Sequence, residues 1–293
     1  MSNENEITKR VALAFFSGTG CTKEVCDLFE KQLTLRGFTC TKVNMAVCEP
    51  ETMKDCNLIM IFAPVYAFRL ASFAEKWVSK LPEVEETSAV IISVSGGGEV
   101  SPNTACRIKS KRLLAKKGYS VIYEDMIMMP SNFATQAEQT INYGLLNILP
   151  EKVSHIIANI ISGQKRITKP ILKDRFFSSI GRAEHIGARF FGASIHANSS
   201  CTKCNLCINN CPNKNIKMVK GAPRFGFNCT WCLKCIYSCP CNSLSPGILK
   251  FAILKDGFDI KKMKEAAAQY TDQVEISKKQ STLWKGVADY LNS

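Results

Sequence analysis

The chain has 293 residues with 46% apolar content, long enough for about two domains with a core that needs no disulfide staples. Lys and Arg outnumber Asp and Glu by 38 to 25, a formal charge of +13, so a basic surface is expected. Met1 to Lys9 is polar without an apolar core, and no run of about 18 apolar residues occurs, which argues against a secretory leader and a spanning helix. Fifteen cysteines in such a chain therefore point to a reducing cytoplasm, with thiols kept for metal.

Arg10 to Ser17 is an apolar run that reads as a buried strand. It ends in Ser17-Gly18-Thr19-Gly20-Cys21-Thr22, after which Val25, Leu28, Phe29 and Leu33 fall on one helical face. A strand, a Gly/Ser/Thr turn and a helix start make an anion site, because loop and helix N–H groups converge and the hydroxyls add donors. Neither a Walker A motif nor G-x-G-x-x-G is present. Phe38 to Met45 alternates as a second strand. Asn57 to Ala63 is continuously apolar, as a central parallel strand would be, and runs into Pro64-Val65-Tyr66-Ala67-Phe68. The spacing predicts a helix over about Leu70 to Leu81, a strand over Ala89 to Ser95 ending in Gly96-Gly97-Gly98, and a helix over Asn103 to Lys117. Tyr119 to Met129 is a fifth strand, ending in Pro130-Ser131-Asn132-Phe133, and Gln136 to Ile161 a last helix with a break near Pro150. Five strands alternating with helices predict a doubly wound parallel α/β sheet. Ligands in such sheets sit beyond the carboxyl ends of the strands, where the first and third adjoin.

Ser162 to Ser200 interleaves Lys165, Arg166, Lys169, Lys173, Arg175, Arg182 and Arg189 with Phe176, Phe177, Ile180, Ile186, Phe190 and Phe191. An amphipathic basic helix is expected there, packed on a neighbouring domain or, as the lesser alternative, lying on an anionic membrane surface. Two runs then dominate: Cys201-x2-Cys204-x2-Cys207-x3-Cys211-Pro212 and Cys229-x2-Cys232-x2-Cys235-x3-Cys239-Pro240. This is the spacing of bacterial two-cluster ferredoxins, in which three thiolates converge on one iron–sulfur cube and the fourth ligates the other. One [4Fe-4S] cluster is expected on Cys201, Cys204, Cys207 and Cys239, the other on Cys229, Cys232, Cys235 and Cys211. Structural zinc is the alternative, but it has no use for a third cysteine on the same step. Lys203, Lys214, Lys217, Lys220, Arg224 and Lys234 lie between Cys201 and Cys239 with no carboxylate among them. No recognition helix or basic–aromatic alternation accompanies them, so an acidic redox protein, such as a ferredoxin or reductase, is a better match than nucleic acid. A plain solvated basic surface is the unadorned reading. Cys241 stands outside both runs as a buried or redox-sensitive thiol. Ile248 to Leu254 reads as a strand or short helix, Lys255-Asp256-Gly257 as a turn and Ile260 to Tyr270 as a helix; Trp284, Val287 and Leu291 have helical spacing. His155, His185 and His196 have no partners visible in sequence.

The Ser17 to Thr22 loop resembles the phosphate loop of flavodoxins, Pro64-Val65-Tyr66 their second flavin loop and Gly96-Gly97-Gly98 their third. Followed by the two cysteine runs, the chain resembles the flavodoxin–ferredoxin fusion family of anaerobes. The expected division is a flavodoxin-like domain with a five-stranded sheet over 1–162, a basic linker over 163–198, a small α+β bacterial ferredoxin-like domain over 199–248, and an extension over 249–293 that packs on the body. The resemblance implies FMN held by Ser17, Gly18, Thr19, Gly20, Cys21 and Thr22, by Pro64, Val65, Tyr66, Ala67 and Phe68, and by Ser95, Gly96, Gly97 and Gly98. Ser17, Thr19, Gly20 and Thr22 would take the phosphate, with Tyr66 and the Gly96 to Gly98 backbone beside the isoalloxazine. Cys21 departs from the Asn usual at its position, and a thiol there could make the site redox-sensitive. The third loop lacks a stacking aromatic, which leaves Tyr66, Phe68 and Phe133 as candidates. The implied function is electron transfer between FMN, two [4Fe-4S] clusters and external partners. The alternatives are an FMN-dependent reductase of a quinone, nitro compound or dioxygen with the clusters as inlet, and an oxygen sensor. No His/Asp/Glu constellation for acid–base chemistry occurs in the flavin loops.

Overall fold

The structure, a computed structural model, describes residues 10–53, 56–180, 182–270 and 285–292, so the expectations for Trp284 and for the His185 side chain lie outside the described residues. The first part contains β1 (Arg10–Phe15), α1 (Cys21–Leu35), β2 (Thr39–Asn44), β3 (Leu58–Tyr66), β4 (Arg69–Leu70), α2 (Ser72–Val78), β5 (Thr87–Ser95), α3 (Ile108–Lys116), β6 (Tyr119–Met128) and α4 (Gln139–Ile161). The five long strands are parallel in the order β2-β1-β3-β5-β6, and β4 hangs antiparallel on β3. Counted by long strands this is 2-1-3-4-5, the flavodoxin-like doubly wound order. Both faces are covered, which explains the unbroken apolar runs. Val11, Leu13 and Phe15 join Met60, Phe62, Val90 and Ile92 in a core beneath α1 and α4. Their neighbours Ala12, Ala14, Ile59, Ile61, Ala89 and Ile91 point the other way, toward Trp77, Val78 and Leu114 of α2 and α3.

Three expected helices differ in detail. The helix predicted from Leu70 is shorter, because the chain first doubles back as the β3–β4 hairpin; Val65 pairs with Leu70 and Tyr66 with Arg69. The helix predicted from Asn103 is a 3-10 turn over Asn103–Ala105 followed by α3. No break occurs in α4, which carries Pro150 inside it. Among the described residues no helix is long and apolar enough to cross a membrane.

The linker carries α5 (Leu172–Ile180) and α6 (Arg182–Ser194). Before them, Arg166 runs alongside β6: its carbonyl accepts from Glu124 N–H at 2.8 Å and its N–H donates to the Ile122 carbonyl at 3.3 Å. The outer edge of β6 is paired at this point. The cysteine-rich part contains β7 (His196–Ala197), α7 (Leu206–Asn209), β8 (Ile216–Val219), β9 (Ala222–Phe225), α8 (Lys234–Tyr237) and β10 (Leu244–Ser245), with β7 antiparallel to β10 and β8 to β9. It consists of two β-α-β halves. Backbone bonds repeat between them, Asn209 N–H to Asn205 matching Tyr237 N–H to Leu233, and Lys214 N–H to Cys211 matching Asn242 N–H to Cys239. Beyond it a short 3-10 helix spans Gly247–Ala252, the second of the two alternatives expected near Ile248, and α9 (Ile260–Ala268) is capped by Asp259, whose carboxylate accepts from Lys261 and Lys262 N–H. Asn147 of α4 donates to the Ala267 carbonyl at 3.1 Å, so α9 lies on the body. Val287 of α10 (Lys285–Asn292) is buried with Met128, Ile141 and Leu145.

Candidate functional site

The ends of β1, β3, β5 and β6 surround one cavity of about 370 Å³, at the switch point between β1 and β3. Ser17, Gly18, Thr19, Cys21 and Thr22 line it from the first loop, Pro64, Val65, Tyr66, Ala67 and Phe68 from the second, and Ser95 and Gly96 from the third. Three expected residues stand outside the lining. Gly20 forms the entry to α1 with φ 111°, backed by Ile260; Gly97 faces Asn103; and Gly98, at φ 77°, packs on Met128. Met129, Pro130, Ser131, Asn132 and Phe133 add a fourth loop, and Trp231 comes from the second cysteine run. The fourth loop follows a predicted strand on the same edge and was within reach of sequence reasoning; Trp231 carries no local signal.

No side chain caps the N-terminus of α1, and the buried Thr22 lies in its first turn. Its N–H groups and partial positive charge therefore face the loop. Ser17 Oγ accepts from Gly20 N–H at 3.1 Å and folds the loop on itself, while Asn132 Nδ2 donates to Thr19 Oγ1 at 2.6 Å and ties the first loop to the fourth. Among the described residues no carboxylate, histidine, lysine or arginine lines the cavity. A dianion would be held by N–H groups and hydroxyls, and a flat aromatic ring would meet uncharged walls. At Cys21 burial pushes the thiol pKa up to about 12, and Sγ faces the Pro130 carbonyl at 3.8 Å. The second loop is a two-residue hairpin turn with φ 34° at Ala67 and 67° at Phe68, a conformation that L residues other than Asn rarely take. It leaves Phe68 exposed at the cavity mouth.

The third loop is gripped from behind. Arg107, 1% exposed, reaches Glu99, Glu124 and Ser93, and Arg166 of the linker reaches Glu99 at 2.8 Å and Asp125 at 2.9 Å. Burial works against the Glu99 charge, but Arg107 and Arg166 outweigh it and hold the carboxyl below its usual range. The buried Asp174 of α5 accepts from Ser101 Oγ at 2.6 Å and from Thr104 Oγ1. The linker thus braces the third loop, a role its basic amphipathic pattern did not suggest.

Two smaller pockets divide the paired cysteine runs crosswise. One is lined by Cys201, Cys204, Cys207 and Cys239, joined by Cys241; the other by Cys229, Cys232, Cys235 and Cys211. Among the described residues no group of three or more His, Cys, Asp and Glu is arranged as the ligand set of a metal ion. A cluster, by contrast, is held by thiolates on separate irons, so its sulfurs need not converge on one point. The backbone turns left-handed at Lys203 and Asn205 and again at the equivalent Trp231 and Leu233. Such alternation makes N–H concavities that receive anions and iron–sulfur groups. Asn215 N–H donates to Cys211 Sγ at 3.3 Å, and at the matching place Ser243 N–H donates to Cys239 Sγ at 3.4 Å. Burial pushes Cys232 up to about 12 and raises Cys207, Cys229 and Cys235. At Cys239 burial is outweighed by bonds from Ser243 and neighbouring N–H groups, and the thiol is lowered. Where burial raises a thiol in this way, binding a metal there would displace its proton.

No protein-family model matches the chain, and no curated protein matches it significantly. Solved structures similar to its first part include two-electron reduced Megasphaera elsdenii flavodoxin, 18% identical over 40% of this chain and 84% of that one, with TM-score 0.35. A Streptococcus pneumoniae TIGR4 flavodoxin is 12% identical over 51% and 99%, TM-score 0.38. An NAD(P)H:quinone oxidoreductase from Methanothermobacter marburgensis is 12% identical over 52% and 95%, TM-score 0.40. Likenesses of this extent leave the strand order and the geometry of the pockets as the grounds for a functional reading.

Proposed function

We propose that the chain is an electron-transfer flavo-iron–sulfur protein, binding FMN in the large cavity and a [4Fe-4S] cluster in each cysteine pocket. The observation that carries this reading is the crossed division of eight cysteines, three from one run and the fourth from the other in each pocket. Zinc would not call for that exchange. For FMN, the uncapped α1 N-terminus and the hydroxyls of Ser17, Thr19 and Thr22 suit the phosphate, and Tyr66, the Gly96 edge and the uncharged fourth loop suit the ring. Bound FMN would supply exchange of one or two electrons, and each cluster exchange of one. The protein's own part is to hold the groups, exclude water and set their potentials through N–H to sulfur bonds such as those at Cys211 and Cys239.

A cavity lining that carries no carboxylate, histidine, lysine or arginine among the described residues favours a carrier over a reductase of small molecules. The partner proposed is an acidic redox protein. Lys203, Lys214, Lys217, Lys220 and Arg224 are exposed around the first run, and among the described residues no carboxylate pairs with them. Lys217 faces Arg224 across the β8–β9 pair, where like charges await a counter-charge. Such clusters belong in a reducing cytoplasm.

The test is anaerobic purification with iron, sulfide and flavin analysis. About eight irons and one FMN per chain are expected. Zinc in place of iron would overturn the cluster assignment, and full clusters without flavin uptake would overturn the flavin assignment.

A further inference from the structure

The two cysteine runs are alike in sequence, yet only the second touches the large cavity. Its Trp231 lines that cavity, meeting Phe133 edge-on at 5.2 Å on the cavity side and Phe191 of α6 at 5.4 Å behind. The next residue closes the contact: a Cβ on Gly18 would stand 2.3 Å from the Cys232 carbonyl oxygen, so the first loop lies directly against the run. Thr230 Oγ1 meets Ser72 Oγ at 2.9 Å, and Tyr237 donates to the Asn132 carbonyl at 2.8 Å while Asn132 holds Thr19. On the far side Gly192 of α6 seats Cys229, since a Cβ there would approach the Cys229 Cβ to 2.3 Å. The corresponding residue of the first run, Lys203, is exposed, and no residue of the first run lines the cavity.

We propose that Trp231 is a flavin-binding residue lent by the cysteine-rich part, so that order in the second cysteine pocket sets the affinity of the cavity for FMN, whereas order in the first pocket does not. This rests on the reading above. The stacking aromatic that the third loop lacks comes from the second run. Trp231 is fixed by the backbone between Cys229 and Cys232, and Trp231 N–H donates to Cys229 Sγ at 3.4 Å. Filling the second pocket therefore fixes the indole as a wall, and by linkage FMN in turn stabilises that pocket.

The experiment measures FMN affinity of the full chain by anaerobic flavin-fluorescence titration, with iron content and melting temperature recorded for each variant. Trp231→Leu is expected to weaken FMN binding by about tenfold or more at unchanged iron content, and Trp231→Phe to recover most of the loss. Cys229→Ala is expected to weaken FMN binding as well, and Cys201→Ala to leave it within about twofold of the parent. Unchanged affinity in Trp231→Leu, or equal effects of Cys229→Ala and Cys201→Ala, would overturn this inference while leaving the flavin reading intact. Failure of the parent chain to take up FMN would overturn both.

Discussion

Gly18 shows how a single missing side chain joins the two halves of the molecule. Its α-carbon faces the Cys232 carbonyl, and the Tyr66 hydroxyl stands 2.9 Å from where a Cβ would be. The obstruction is backbone rather than the end of a flexible side chain, so a methyl group there forces the second cysteine run away from the first loop. Gly18→Ala is expected to destabilise the chain by about 1–3 kcal/mol, seen as a lowered midpoint in urea unfolding. Gly37, where a Cβ would meet nothing within 4 Å, is the contrast. Its φ of 84° makes alanine costly for reasons of backbone strain alone, without effect on the contact between the halves.

At the scale of elements, the third loop, β6 and the linker are held by opposite charges around Arg107. Replacing Arg107 by Ala leaves the fully buried Glu124 carboxylate with Lys111 at 2.9 Å and Thr168 N–H at 2.6 Å, and is expected to cost about 3–5 kcal/mol in denaturant unfolding. The Glu99 carboxyl is depressed from its ordinary 4.5 in the folded chain. A depressed carboxyl stabilises the fold above its unfolded value and loses that contribution as pH falls through the folded value. The melting temperature of the parent chain is therefore expected to exceed that of Glu99→Gln at pH 7, and the gap to close as the pH drops below about 4. A gap independent of pH would show that Glu99 acts by shape and not by charge. Asp125 works the other way: burial raises it despite Arg166, so its charge is held at a cost near neutrality and that cost is relieved in acid.

The whole molecule couples a large sheet with its own cores to a small part that has little apolar interior. Among the described residues Phe191, Ile195, Leu233, Ile236, Leu244 and Ala252 form one small buried cluster, and Ile216 and Cys232 of the cysteine-rich part are buried as well. A unit of that size is marginal without a staple, and bound clusters would supply one. Anaerobic removal of iron is expected to expose the amides of β7 to β10 to hydrogen exchange within minutes, while those of β1, β3 and β5 stay protected. Equal protection with and without iron would show that the cysteine-rich part folds without metal.

Much of this was legible in the chain itself. Runs such as Asn57 to Ala63 have to be buried on both faces, so the parallel sheet follows from apolar pattern alone, and with it the edge that carries the cavity. The two cysteine runs stand out in the sequence by their spacing, and the structure lines each small pocket with three cysteines of one run and the fourth of the other. The helix expected from Leu70 starts later because the β3–β4 hairpin intervenes, and the one expected from Asn103 opens as a 3-10 turn, since local hydrogen bonding more than apolar spacing sets such turns. Strands β7 to β10 are too short, at two to four residues, to show a period. What only the tertiary structure decided is which of the two equivalent runs meets the sheet. Trp231 and Lys203 occupy matching places in matching backbone. Contacts with Gly18, Phe133 and α6, all distant in sequence, turn the first into a wall of the cavity and leave the second in solvent.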